Sequence, residues 1–190
     1  MVERCRHTFE HIDPFGNYGT KPVSCFRPIE SPYRKCIWHR DTHRKIASEL
    51  ASARTDHPEH IPQATLDGCQ INSQVDFQDC ELSEASFRGA NLHSCNFSQV
   101  SAIHTDFSGA NLSDANFQNA KLFANFSGSD LSGADLRGAE LTHCNFSGAT
   151  LSDITLGDTK LEGCFDGAEV PQSVSSGQLR SISREDLLKW

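Results

Sequence analysis

From Ala64 onward a large apolar residue returns every five positions, a spacing that suits neither common secondary structure. The series runs Leu66, Ile71, Phe77, Leu82, Phe87, Leu92, Phe97, Ala102, Phe107, Leu112, Phe117, Leu122, Phe126, Leu131, Leu136, Leu141, Phe146, Leu151, Leu156 and Leu161. Of these twenty centres only Ala102 is small. Two residues before each centre sits a second series of small residues, among them Ala64, Cys69, Val75, Cys80, Ala85, Ala90, Cys95, Ala134, Ala139, Cys144 and Ala149. The residue between is usually polar, as at Asn91, Asn96, Asp106, Asn111, Asn116, Asp130 and Asp135. A strand repeats every two residues and a helix every 3.6, so neither explains a period of five. Each short segment must instead turn a corner and then reset.

Written as A-(D/N)-(L/F)-x-x, this stretch resembles the pentapeptide-repeat family, and GANLSDANF and GADLRGAEL lie close to its consensus. The resemblance implies an all-β solenoid: a right-handed quadrilateral β-helix with four pentapeptides per coil, centre and small residues inward, the other positions facing solvent. Twenty units then make about five coils. At ~4.8 Å between stacked strands the solenoid is roughly 24 Å tall.

Counting by units places every fourth centre in one column. One column reads Leu66, Phe87, Phe107, Phe126, Phe146, and its closing positions are Gly68, Gly89, Gly109, Gly128 and Gly148. An unbroken glycine column suits a turn that needs positive φ. The spacing gains one residue between Ile71 and Phe77 and loses one between Leu122 and Phe126. Both slips keep the columns aligned, so they are expected to form a bulge and a shortened corner.

The eight cysteines fall into two populations. Cys69, Cys80, Cys95, Cys144 and Cys164 share the small inward phase and substitute for alanine. Cys5, Cys25 and Cys36 precede the repeat, and His39 follows Cys36 in CIWH at C-x2-H spacing. Three thiolates and an imidazole make a closed tetrahedral set for structural zinc, with His7 or His11 as substitutes for His39. The surrounding segment, rich in Pro and Gly and poor in aliphatics, cannot build a core unaided. Within the family, a cluster ending in C-x-W-H resembles that of archaeal pentapeptide-repeat proteins.

The expected organisation is a zinc-binding module at 1–41, a helix and cap or linker at 42–63, the β-helix at 64–165 and a tail at 166–190. DTHRKIASELASAR reads as the linking helix, and Pro58 and Pro62 end it. In the tail, Ser183 and Asp186 resemble a capping box before Leu187, Leu188 and Trp190. The tail helix is expected to dock on the last coil or on a second copy of the chain.

No nucleophile elbow, phosphate loop, dinucleotide fingerprint or zinc-protease motif occurs. His93, His104 and His143 read as scattered surface positions. A closed Cys5, Cys25, Cys36, His39 set leaves no open position for a zinc enzyme. Net charge is −8, which argues against direct nucleic-acid binding. Residues 64–168 carry 14 acids against 4 Lys and Arg, a net of −10. Such an acidic rod is similar to the DNA-mimicking pentapeptide-repeat proteins that bind DNA gyrase and confer quinolone resistance. Here, however, the acids spread over three sides, and five coils make a short mimic.

Ile103 and Phe123 stand out, following adjacent centres at positions that elsewhere are mostly polar. They are expected to form an apolar interaction patch beside Ala102, covered by the C-terminal segment or by a partner, unless Ile103 turns inward. The first residues lack a signal peptide's apolar stretch and nothing is apolar enough to span a membrane, so the cytoplasm is the expected compartment. The leading functional expectation is a non-catalytic protein-interaction scaffold with structural zinc. The alternatives are gyrase or topoisomerase mimicry and a zinc enzyme.

Overall fold

A computed structural model describes residues 8–12, 18–24, 64–71, 75–175 and 177–187. The calls on Cys5, Cys25, Cys36, His39 and the 42–63 helix lie outside those residues. Within the N-terminal segment, β1 (Thr8–Ile12) pairs antiparallel with β2 (Tyr18–Ser24). Thr8 sits opposite Ser24, and the register shifts between Glu10 and Ile12. Pro22 falls inside β2, where a two-stranded sheet leaves edges that tolerate a missing N–H.

The remainder is a parallel β-solenoid. Its unit is a tight turn that starts at each centre. The centre's carbonyl accepts the amide three residues on, as from Ala90 to Phe87 (3.0 Å) and from Ala115 to Leu112 (3.0 Å). The third residue of the turn has positive φ, the type II pattern. Glycine fills it at Gly89 (60°) and Gly109 (64°), but Asp114 (57°) and Asn119 (57°) adopt the same conformation. Where the residue before the centre is Asp or Asn, it closes the turn from the other side. Its side-chain oxygen accepts the amide after the centre, as Asn96 does from Ser98 (3.1 Å) and Asp106 from Ser108 (2.9 Å). An Asx turn is therefore the physical reason for the recurrent Asp and Asn.

Coils are joined by backbone hydrogen bonds on every side. Phe87 N donates to Asp106 O (2.7 Å) while Asp106 N donates to Ala85 O (2.9 Å). The pairing column Thr65, Ser86, Asp106, Asn125, Asn145, Cys164 advances in steps of 21, 20, 19, 20 and 19 residues. The 21 absorbs the insertion before Phe77. The first 19 absorbs the short corner in β4 (Lys121–Asn125), which pairs with β3 (Ser101–Asp106) and with β5 (Glu140–Leu141). The second 19 marks another short corner, in β7 (Leu161–Cys164), which pairs with β6 (Cys144–Asn145). Beyond it Phe165 becomes a further centre, stacked on Phe146 at 5.2 Å.

The ladder therefore continues past residue 165, where the repeat was expected to end. Glu169 pairs with Thr150, and β8 (Leu179–Ser181) pairs with β7. Val170, Val174 and Leu179 pack against the core from this last layer. Helix α1 (Arg184–Leu187) follows, and the Ser183 hydroxyl accepts the amide of Asp186 (3.1 Å).

From Leu66 to Leu161 no centre is more than 6% exposed. Phe87, Phe107, Phe126, Phe146 and Phe165 stack face to face at 5.0–5.3 Å, close to the rung spacing. Phe77, Phe97 and Phe117 form a second stack at 4.9–5.0 Å. The two stacks meet edge to face at 5.6–6.0 Å, a favoured aromatic geometry.

Two glycines separate the effects of space and conformation. A Cβ at Gly163 would lie 2.2 Å from the Cys144 carbonyl oxygen of the adjacent coil, whereas one at Gly109 would meet nothing within 4 Å. Gly163→Ala is expected to destabilise by about 1–3 kcal/mol through overpacking. Gly109→Asn should cost under about 1 kcal/mol, since Asn tolerates the left-handed region. Urea midpoints of both variants check this; equal effects would contradict it.

Candidate interaction surface

The side that carries Leu82, Ala102, Leu122, Leu141 and Leu161 is the least regular. In β3 the corner residue is His104, with φ 55°; in the coil after β4 it is His143, with φ 51°. Between them β4 has no corner residue, because Ile103 pairs with Phe123 while Thr105 pairs with Ala124. The Phe123 ring lies beside both imidazoles, its centroid 4.6 Å from that of His104 and 5.7 Å from that of His143. His104 is exposed, while Phe123 and His143 are half-buried. Two of the three histidines read as scattered thus belong to one aromatic column.

Ile103 departs from its expected exposure. It is 6% exposed, yet it is absent from the contiguous inward core. Along the ladder it is in register with Phe123 of the next coil. The apolar feature that solvent meets is Phe123. The described C-terminal segment extends the ladder through β8 at the far end of this side. That places it three rungs from Phe123, at ~4.8 Å per rung.

The third histidine, His93, is on another side. Its Nδ1 lies 2.9 Å from Ser113 Oγ and 3.1 Å from Ser113 O, and its Nε2 lies 3.2 Å from Ser94 Oγ. Asp114 is 3.8 Å from Nδ1, outside hydrogen-bonding distance, and Ser113 occupies that nitrogen instead, so the acid–histidine bond of a nucleophilic triad is not made. Among the described residues, no group of three or more His, Cys, Asp or Glu could hold a metal ion.

Of the acids, Asp106 faces Arg88 (3.7 Å), Asp135 faces Arg137 (2.6 Å) and Glu162 faces Arg180 (2.8 Å). Hydrogen bonds from Arg137 hold the Asp135 carboxyl below the usual carboxylate range. These exposed pairs contribute little stability but locally dilute the negative field.

The five cysteines of the repeat are buried. Burial pushes the Cys95 thiol up to about 12, with the Asp76 charge adding to it, and burial does the same for Cys144. Neither supplies a thiolate nucleophile near neutral pH. Because the folded values are raised, their contribution to stability is complete below the unfolded value of about 8.5 and is lost as pH rises toward 12. Native protein at pH 8 should leave these two thiols unlabelled by a maleimide over an hour, and urea should expose both. Peptide mapping distinguishes the outcomes, and rapid native labelling of Cys95 or Cys144 would contradict them.

Residues 69–143 match the family model described as "Pentapeptide repeat region". No curated protein matches the sequence. Among solved structures, a pentapeptide repeat protein from the Arabidopsis thaliana thylakoid lumen is similar at 22% identity. That match covers 69% of this chain and 88% of the other, with a TM-score of 0.44. A pentapeptide repeat protein from Nostoc PCC 7120 is 23% identical over 75% of this chain and all of its own, with a TM-score of 0.36. QnrB1, a plasmid-mediated fluoroquinolone resistance protein, is 20% identical over 54% of this chain and 70% of its own, with a TM-score of 0.18. The solenoid described above is built from the unit that this family model describes, and the chain carries a pentapeptide repeat region at residues 69–143.

Proposed function

We propose that the chain is a non-catalytic scaffold whose solenoid presents a protein-binding surface centred on Phe123. The observation that supports this most is what the repeat does with its reactive side chains. Asp and Asn before the centres hold turns, the repeat's cysteines are enclosed, and the conspicuous departure from a polar exterior is an aromatic ring flanked by two imidazoles. Half-buried aromatic residues of this kind anchor protein interfaces.

In this reading the N-terminal segment is a structural zinc module held by Cys5, Cys25, Cys36 and His39. The donor set is chemically suited to zinc. The pairing of Thr8 with Ser24 is compatible with it, since Cys25 follows Ser24 directly and Cys5 precedes Thr8 by three residues. The ion would supply folding free energy rather than catalysis. The chain is read as cytoplasmic, where such thiols stay reduced. Among the described residues no helix is long and apolar enough to cross a membrane.

A second reading, regulation of DNA gyrase or topoisomerase by an acidic mimic, draws on the net charge of −10 over residues 64–168. The ion pairs at Arg88, Arg137 and Arg180 weigh against a continuous acidic face.

Three measurements check these readings. Phe123→Ser should keep the circular dichroism spectrum and thermal midpoint while weakening capture of a protein partner, or of a second copy, at least about tenfold. Unchanged capture would overturn the Phe123 surface, and inhibition of gyrase supercoiling at stoichiometric protein would favour mimicry. Purified protein should contain one zinc per chain, lost in a Cys36→Ser, His39→Ala double variant; full zinc occupancy in that variant would remove the assignment.

A further inference from the structure

Aspartate followed by glycine is the pair most prone to spontaneous backbone rearrangement, because glycine offers no side chain to shield its amide nitrogen. The chain has two such pairs, Asp67–Gly68 and Asp166–Gly167. Both occupy the same corner column, and both glycines have positive φ, 64° and 69°. Sequence context and local conformation are therefore matched, and the surroundings differ.

Asp67 is held by the coil that follows it. The Ser86 hydroxyl and the Arg88 amide (3.0 Å) both donate to its Oδ1, and Gly68 N–H donates to Arg88 O (2.8 Å). The two reacting groups of that pair, the carboxylate and the glycine N–H, are thus held in separate hydrogen bonds. Asp166 is exposed, as is Gly167. Its carbonyl accepts Gly148 N from the preceding coil (2.8 Å), and Ala168 N closes the turn on Phe165 O (3.0 Å). Among the described residues, neither the Asp166 carboxylate nor the Gly167 amide is given a hydrogen-bond partner. Nothing lies within 4 Å of where a Cβ of Gly167 would be. The last coil, bonded on one side at this corner, is the part of a ladder that opens most readily.

We propose that Asp166–Gly167 is a self-modification site that forms isoaspartate in the folded protein, and that Asp67–Gly68 is protected by the coil below it. The Gly167 nitrogen attacks the Asp166 side-chain carboxyl carbon, forming a C–N bond. The amide proton and the carboxyl hydroxyl leave together as water, giving a cyclic succinimide. Water then adds to one of its two carbonyls. Opening one C–N bond restores aspartate; opening the other leaves the chain running through the side-chain carbonyl, with one more methylene in the backbone and no change in overall composition. That lengthened corner no longer matches the spacing that holds Asp166 to Gly148 and Glu169 to Thr150, so the C-terminal layer loosens. The product is a substrate for the class of methyltransferase that esterifies isoaspartyl carboxylates.

The test is incubation of the full chain at pH 7.4 and 37 °C, followed by proteolysis, peptide mapping and labelling with an isoaspartyl methyltransferase and radiolabelled S-adenosylmethionine. Isoaspartate at position 166 should accumulate at least about tenfold faster than at position 67, and in urea the two rates should converge. Asp166→Glu should abolish the signal at that site, while Ser86→Ala should raise the rate at Asp67. Equal rates in the folded protein, faster reaction at Asp67, or reaction at Asp166 only in urea would each overturn the proposal.

Discussion

Backbone hydrogen bonding between successive coils is the constraint to which the rest of the molecule conforms. A coil can donate to the next only if its corners fall above one another, which requires about twenty residues and four turns per circuit. Once that pitch is met, inward side chains at equivalent positions lie one rung apart, the separation at which phenyl rings stack. Aromatic columns and backbone ladder therefore reinforce each other: a ring displaced from its column would also displace a rung.

The inward positions were legible because burial imposes a chemical signature, apolar at each centre and small two residues before it. The glycine column was legible for a similar reason, since positive φ favours a residue without a side chain. The other corners were not, because Asp114, Asn119 and His104 adopt the same φ with side chains present. Their strain is offset by the turn and ladder bonds around them, and a single residue type does not announce it. The short corner in β7 was hidden because counting by fives puts Cys164 in the small phase, whereas in the structure Gly163 pairs with Cys144 there, Cys164 pairs with Asn145, and Phe165 resumes the centre series one residue early.

The candidate surface was half legible. Phe123 stands out as an aromatic residue in a polar phase, and it does meet solvent. Ile103, marked by the same criterion, is buried. Outer side chains in adjacent coils cover one another, so exposure depends on the residues twenty positions away as much as on phase. The gathering of His104 and His143 about Phe123 had the same origin, because it depends on a missing corner residue in the coil between them. The pairing of β1 with β2 had no alternating pattern to betray it.

The Asx turns carry a consequence for how such a protein diversifies. Each turn uses only one side-chain oxygen as acceptor, and an amide provides that oxygen as well as a carboxylate does: Asn96 and Asp106 perform the same task. Exchange between the two is nearly isosteric and alters the charge of a coil by one without disturbing the circuit of the chain. Electrostatic character can therefore be retuned coil by coil on an unchanged architecture, which uncouples whom the surface attracts from whether the protein folds.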